Sequence, residues 1–248
     1  MAVCRRTLNN QSKLETVMDL EGKPLRYLIG GDDNAQGKDD EVVELSFDAE
    51  APPKRGIGIK YCNLLDEQYD AKKKTGKYGP YLSKASDVAK QYGEGQIDPN
   101  GPGWKKNLTD QFARAKAQGF VYIELDNPDS YAIGPVIGAL DLAQSYGLKV
   151  IAKNPGLMDD AARQYVAHPN VFGIIVEKDA GTPQEMEALR RAAGKPTLPV
   201  WFVYFGKGKA QAEKHAEGAK SFKHMGVTYS TKGEYKDAAD LLRPVSAT

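Results

Sequence analysis

The feature that most constrains the fold is a regular alternation of short apolar runs with longer amphipathic ones. Four strong runs are rich in β-branched and aromatic residues, as strands are, and lie at 121–126, 149–152, 171–176 and 199–205. Weaker runs predict four more strands, at 26–29, 42–45, 56–61 and 227–229. Apolar residues at helical spacing separate the strong runs. The pattern therefore predicts eight strands that alternate with helices.

The predicted helices have recognisable ends. Their apolar spacing places them at 104–118, 133–146, 158–167, 183–193, 209–224 and 236–242. Thr182 is a suitable N-cap, with Pro183 at the first helical position. Glycine, which readily adopts a left-handed conformation, follows four of the helices, at Gly119, Gly147, Gly194 and Gly226.

Strand–helix–strand alternation predicts parallel strands joined by right-handed crossovers. Eight such strands in 248 residues match the size of a closed (β/α)8 barrel. A doubly wound open sheet is the rival, although no Gly-x-Gly-x-x-Gly turn follows the first strand. Residues 63–103 are irregular and predict a long loop insertion over one end of the barrel. We thus expect an N-terminal extension at 1–24 and a barrel catalytic domain at 25–248.

Composition limits the classes of partner. The formal net charge of +1 gives no electrostatic reason to expect nucleic acid or an anionic membrane. No apolar run approaches the roughly 20 residues that span a bilayer, so we expect no membrane insertion. The first residues carry no secretory signal pattern, which leaves the localisation open.

Common motifs for metal, nucleotide and serine chemistry are absent from the sequence. It has no HExxH, no CxxC, no P-loop and no Gly-x-Ser-x-Gly turn. The three histidines, His168, His215 and His224, show no ligand-like spacing, and we expect them at the surface. The sequence therefore predicts no metal and no organic cofactor.

Acidic residues close two of the predicted strands. Because side chains alternate along a strand, Glu124 and Asp126 share one face and Leu125 takes the other. If Leu125 meets the helices, both carboxylates point into the barrel mouth, where the pKa of one should rise. Glu177 closes a second apolar strand. Opposed carboxyl groups of this kind are the usual equipment for glycoside hydrolysis, although structural ion pairing is the simpler alternative for each alone.

Other polar and aromatic residues end neighbouring strands. Lys153 could pair with Asp126 or Glu177, and Asn154 could hold a sugar hydroxyl. Trp201 and Tyr204 fall on opposite faces of the next strand. Aromatic rings can stack on sugars, although core packing is their commoner use.

Several of these residues lie in segments that resemble the motifs of a known family. Residues 119–131, which read Gly-Phe-Val-Tyr-Ile-Glu-Leu-Asp-Asn-Pro-Asp-Ser-Tyr, are similar to the strand-four motif of glycoside hydrolase family 114. Residues 147–154, Gly-Leu-Lys-Val-Ile-Ala-Lys-Asn, resemble that family's Gly-Leu-x-Val-x-x-Lys-Asn segment, and Glu177 falls at its strand-six glutamate. The resemblance covers about residues 104–206. It implies a (β/α)8 barrel and an activity like that of endo-α-1,4-polygalactosaminidases.

The resemblance also implies roles for individual residues. Asp126 and Glu177 would be the catalytic pair. The substrate cleft would be lined by Glu124, Asn127, Asp129, Lys153, Asn154 and Tyr204. The sequence departs from the family pattern at three places: Tyr122 replaces a glycine, Val203 replaces an acidic residue, and Lys178 and Asp179 follow Glu177 where the family often has a cysteine.

The leading hypothesis is a glycoside hydrolase that cleaves internal bonds of a polysaccharide, either an amino-sugar polymer or a bacterial surface polymer. A lysozyme-like cell-wall hydrolase, or a phage-type lysin or depolymerase, is a second enzymatic interpretation. A non-catalytic carbohydrate-binding barrel is the alternative from another class, and the departures at Tyr122 and Val203 favour it. The sequence leaves open which carboxyl is the acid and whether configuration is retained.

Overall fold

The structure, a computed structural model, describes residues 20–28, 37–70, 72–82 and 93–230, and the backbone of a short strand at 240–242. Most of the predicted N-terminal extension lies outside these residues. Eight strands pair in parallel in sequence order. They are β1 (Leu25–Leu28), β2 (Val42–Leu45), β3 (Ile57–Asn63), β4 (Tyr122–Asp126), β5 (Lys149–Lys153), β6 (Val171–Glu177), β7 (Val200–Phe205) and β8 (Met225–Ser230). The predicted (β/α)8 barrel is confirmed.

The barrel is nearly closed, because β8 lies beside β1 although no ladder joins these two strands among the described residues. There the Thr228 hydroxyl donates a hydrogen bond of 2.8 Å to the carbonyl oxygen of Leu25. A ninth strand, β9 (Asp240–Leu242), pairs antiparallel with β8. The helix predicted at 236–242 is therefore wrong at its last three residues, because a backbone that pairs with β8 must be extended. Residues 236–239 lie outside the described part of the chain.

Within the described residues, five α-helices cover the outside of the barrel. They are α1 (Pro102–Ala117), α2 (Ile133–Ser145), α3 (Ala162–Ala167), α4 (Pro183–Ala192) and α5 (Lys209–Ala219). The predicted N-cap is confirmed at α4, where the Glu185 amide donates to the Thr182 hydroxyl over 3.2 Å as part of a capping box. None of the described helices is long and apolar enough to span a membrane.

Two helix ends differ from the predictions. The segment predicted as one helix at 158–167 begins as 3-10 turns and breaks at Asp159, whose φ is 47°. The helix predicted at 209–224 ends at Ala219, and Gly226 belongs to β8. The left-handed residue before that strand is His224, with φ 63°. The chain thus turns two residues earlier than the glycine indicated.

Alternation along the strands separates two apolar clusters. The inner cluster fills the barrel and includes Tyr27, Tyr122, Ile151 and Trp201. The outer cluster packs the other strand face against the helices, and Leu125 belongs to it. Glu124 must therefore face inward, as the sequence predicted.

The connection from β3 to α1 is the predicted insertion. Its ends are held by isolated bridges, Asp66 with Gly95 and Tyr81 with Ile97. The hydroxyl of Tyr131, which follows β4, donates to the carbonyl of Leu64 and accepts from the amide of Ile97, over 3.2 and 3.1 Å. These bonds tie the insertion to the carboxyl end of the barrel. Residues 83–92 of the insertion lie outside the described residues.

Candidate active site

A buried lysine lies at the centre of the carboxyl end of the barrel. Lys153 ends β5, and its side chain is 1% exposed. Its Nζ donates to Glu124 Oε1 and to the Tyr27 hydroxyl, each over 2.6 Å, and lies 3.3 Å from Glu177 Oε1. Burial alone would lower the pKa of Lys153, but the surrounding carboxylates raise it well above its ordinary value. The charged side chain of Lys153 on β5 therefore contacts residues of three other strands, β1, β4 and β6.

Glu124 is the most deeply buried of the predicted site residues. It is fully buried on β4, and one oxygen accepts the ion pair from Lys153. Burial is the largest cause of a rise in its pKa to about 7, which Lys153 opposes and the charges of Asp126 and Glu177 increase. The predicted rise is therefore present, but desolvation contributes more to it than repulsion between neighbouring carboxylates.

Glu177 lies at the end of β6 and is partly open to solvent, with 16% of its side chain exposed. The Tyr27 hydroxyl donates to its Oε1 over 2.6 Å. Burial alone would raise the pKa of Glu177, but the charge of Lys153 and the hydrogen bonds from Tyr27 and Lys153 lower it. Glu177 is consequently held as a carboxylate at the mouth.

Asp126 ends β4 and is also half-buried at the mouth. Its Oδ2 accepts from the Tyr61 hydroxyl over 2.9 Å, and its Oδ1 accepts from the amide of Asn127 over 2.8 Å. Asn127 adopts a left-handed conformation, which asparagine tolerates better than most residues, and donates to Asn63 Oδ1 over 2.9 Å. The sharp turn after β4 thus fixes the direction of the Asp126 carboxylate.

Two other predicted residues lie on the loops of the same end. Asn154 is left-handed, with φ 43°, and its Oδ1 accepts from the Glu177 amide over 2.8 Å. It therefore joins the ends of β5 and β6, and that side-chain oxygen is already engaged. Asp129 is exposed on the short 3-10 helix Pro128–Ser130.

Acidic residues of the insertion extend the site beyond the strand ends. Glu67 Oε1 accepts from Asn63 Nδ2 over 3.3 Å. Burial of the Glu94 carboxyl, followed by the charges of Asp126 and Glu67, raises the pKa of Glu94 to about 7. The mouth therefore has carboxyl groups on both the barrel and the insertion.

Tyr204 is not brought together with the other predicted residues. It is 1% exposed, belongs to the outer cluster and hydrogen-bonds through its hydroxyl to His215 Nδ1 on α5. Its strand partner Trp201 faces the barrel interior, so the two rings do lie on opposite faces. His215 is buried under Tyr204 and Phe202, which corrects its predicted surface position.

Sequence reasoning missed the contributions of the first three strands. Tyr27, Glu44 and Tyr61 all face the interior beside the predicted acids. The signal for Glu44 is a lone acid at an alternating position within an otherwise apolar strand, Val42–Leu45. Among the described residues, no group of three His, Cys, Asp or Glu is arranged to hold a metal ion.

Comparison with known proteins adds evidence on the fold. No family model matches the sequence, and neither does any curated protein. The structure is similar to the crystal structure of Aspergillus fumigatus Ega3 in complex with galactosamine, with a TM-score of 0.54 and 13% identity over 85% of this chain and 90% of that one. It is also similar to the glycoside hydrolase domain of PelA from Pseudomonas aeruginosa, with a TM-score of 0.56 and 14% identity over 86% and 98%.

This chain shares the fold of Ega3 and PelA. The PelA neighbour is a glycoside hydrolase domain and the Ega3 neighbour binds galactosamine, and the barrel that the sequence resemblance implied is confirmed at the level of the fold. At this identity the likeness establishes the barrel and the order of its strands. The roles of individual side chains rest on the geometry described above.

Proposed function

We propose that the protein is a glycoside hydrolase that cleaves internal bonds of an amino-sugar polysaccharide, with Asp126 and Glu177 as the catalytic pair. The observation that carries the proposal is the position of these two carboxylates. They end strands β4 and β6, remain partly open at the mouth, and are each oriented by a buried tyrosine hydroxyl. The shared fold with two glycoside hydrolases supports the same activity.

The pair has the chemistry that glycoside hydrolysis requires. One carboxyl protonates the leaving oxygen, and the other attacks the anomeric carbon or activates a water. Glu124 is too deeply buried to reach a sugar, so its place is beneath the pair, where it holds Lys153. The distance between the reacting carboxyls decides between retention and inversion, and chemical rescue of each variant by azide would identify the role of each.

An acidic mouth favours a cationic polymer. Glu67, Glu94, Asp126 and Asp129 all lie at this end of the barrel, and free amino groups of a sugar polymer would pair with them. Galactosamine is the ligand in the Ega3 complex. We therefore propose a polymer with free amino groups, such as α-1,4-linked galactosamine, as the substrate class.

Release of reducing ends from a panel of polymers tests this function. The panel contains α-1,4-linked galactosamine, its N-acetylated form, peptidoglycan and an acidic exopolysaccharide. We expect release from the first polymer by the wild type, and its loss in Asp126→Asn and Glu177→Gln. Asp141→Asn is the matched control, because Asp141 pairs with His168 in the helical layer. Binding without any release would support the carbohydrate-binding barrel instead.

A further inference from the structure

Glu44 is a buried acid for which the proposed mechanism has no role. It lies on β2, in register with Tyr27 on β1 and Ile59 on β3, and is completely buried. Its neighbours Val43 and Leu45 belong to the outer cluster, so Glu44 points into the barrel. Neither of its carboxyl oxygens, nor Glu124 Oε2, has a hydrogen-bond donor among the described residues, although the Glu44 and Glu124 carboxyls lie within hydrogen-bonding reach of each other. Such orphaned groups are costly in a dry interior.

Counting donors shows where the missing hydrogen must come from. The ammonium of Lys153 has three hydrogens, and it faces Glu124 Oε1, Tyr27 and Glu177 Oε1. The single hydroxyl hydrogen of Tyr27 goes to Glu177. Neither residue has a donor left for Glu124 Oε2, which leaves a proton on Glu44 as the remaining source.

Counting charges leads to the same carboxyl. The titratable groups that face Glu44 are Tyr27 on β1, Glu124 on β4, Lys153 on β5 and Glu177 on β6. Three carboxylates around one ammonium would leave uncompensated charge in the interior. Glu124 and Glu177 both contact Lys153, whereas neither oxygen of Glu44 contacts Lys153 or another donor among the described residues. Burial, and then the charge of Glu124, raise the pKa of Glu44 well above its ordinary value.

We propose that Glu44 is a positioning residue that stays protonated at neutral pH and donates this proton to Glu124 Oε2. The bond favours the ionised form of Glu124 and its contact with Lys153. Lys153 and Tyr27 then remain on Glu177, the carboxylate at the mouth. Ionised Glu44 would instead repel Glu124 and draw Lys153 away from Glu177.

Infrared difference spectroscopy tests the protonation state without an activity assay. Wild-type and Glu44→Gln proteins are compared at about pH 8, above the pKa values near 7 of Glu124 and Glu94. We expect the variant to lose a protonated-carboxyl C=O band. Glu41→Gln is the matched control: Glu41 is 1% exposed and pairs with Arg26 and Lys38, so its loss should remove a carboxylate band. Loss of a carboxylate band in Glu44→Gln would overturn the proposal.

The positioning role rests on the proposed function and is tested with the polymer that the wild type cleaves. We expect Glu44→Ala to lose roughly 10- to 100-fold in kcat. Glu44→Gln, whose amide can still donate, should recover most of that loss. No loss in Glu44→Ala, or no recovery in Glu44→Gln, would overturn the role. If Glu44→Ala does not fold, Glu44→Met, which has a similar length but cannot donate, takes its place in the comparison with Glu44→Gln. Absence of wild-type activity would refute the proposed function, while the infrared result would still stand.

Discussion

Removal of the Lys153 charge should destabilise the protein by an amount that grows with pH. In Lys153→Met the side chain keeps a similar length, but the ion pairs at 2.6 Å to Glu124 and 3.3 Å to Glu177 are lost. Removing one partner of a buried pair costs about 3–5 kcal/mol when the other remains charged. Glu124 can avoid part of that cost by taking up a proton, because its pKa is already about 7 beside the lysine.

The sign of the pH dependence follows from this proton uptake. Without Lys153 the pKa of Glu124 in the folded protein rises further above its unfolded value. The folded state then binds more protons than the unfolded state, so stability falls as pH rises through the folded pKa. For one proton the slope is at most about 1.4 kcal/mol per pH unit. Because wild-type Glu124 already holds its proton below its pKa of about 7, the two proteins change in parallel at lower pH, and we expect the loss of stability in Lys153→Met to be larger at about pH 8 than at about pH 6 by up to about 1.4 kcal/mol.

Urea unfolding of both proteins at the two pH values measures the effect. Lys149→Met is the control, because Lys149 lies on the same strand but contacts the rings of Tyr122 and Phe172, at 5.5 and 5.3 Å. Its loss should change stability by a similar amount at both pH values. A loss for Lys153→Met that is below about 1 kcal/mol, or that does not depend on pH, would refute the argument that Lys153 compensates buried carboxylates.

Three further substitutions test single contacts. Tyr27→Phe removes the 2.6 Å hydrogen bond to Glu177. We expect the pKa of Glu177 to rise by about one to two units in an NMR titration of its carboxyl carbon. An unchanged pKa would contradict this expectation. Tyr204→Phe removes the hydrogen bond to His215 in the outer layer. It should lower the free energy of urea unfolding by about 0.5–1.5 kcal/mol and leave kcat/KM unchanged. A loss of activity would instead place Tyr204 in the active site. Thr182→Ala removes the cap of α4 and should lower the free energy of unfolding by about 1 kcal/mol, whereas Thr182→Ser should retain it.

The insertion is a part of the site whose position depends on tertiary contacts. Its sequence is rich in Tyr, Gly and Lys, and it predicted only a loop over one end of the barrel. The structure brings Glu67 and Glu94 from it to the neighbourhood of Asp126. No local periodicity connects residues so far apart in the chain, because their approach depends on the fixed position of Asn63 at the end of β3.

The sequence by itself determined the strands and most helix boundaries, because period-2 and period-3.6 burial are local properties of the chain. It also determined that Glu124 and Asp126 share a face, and that Trp201 and Tyr204 do not. Alternation, however, predicts only which residues share a face of the strand, not which face points into the barrel. Closure of the barrel decided that Trp201 faces inward and Tyr204 outward, towards His215.

Tertiary structure alone decided which charges meet. Tyr27 and Glu177 are 150 positions apart, yet they share a hydrogen bond because their strands face one another across the barrel. The same closure buries Glu44 and Glu124 around a single lysine. Burial and pairing set the protonation of these groups, and both depend on contacts between distant strands. Local sequence could therefore indicate the acids at the mouth but not the network that orients them.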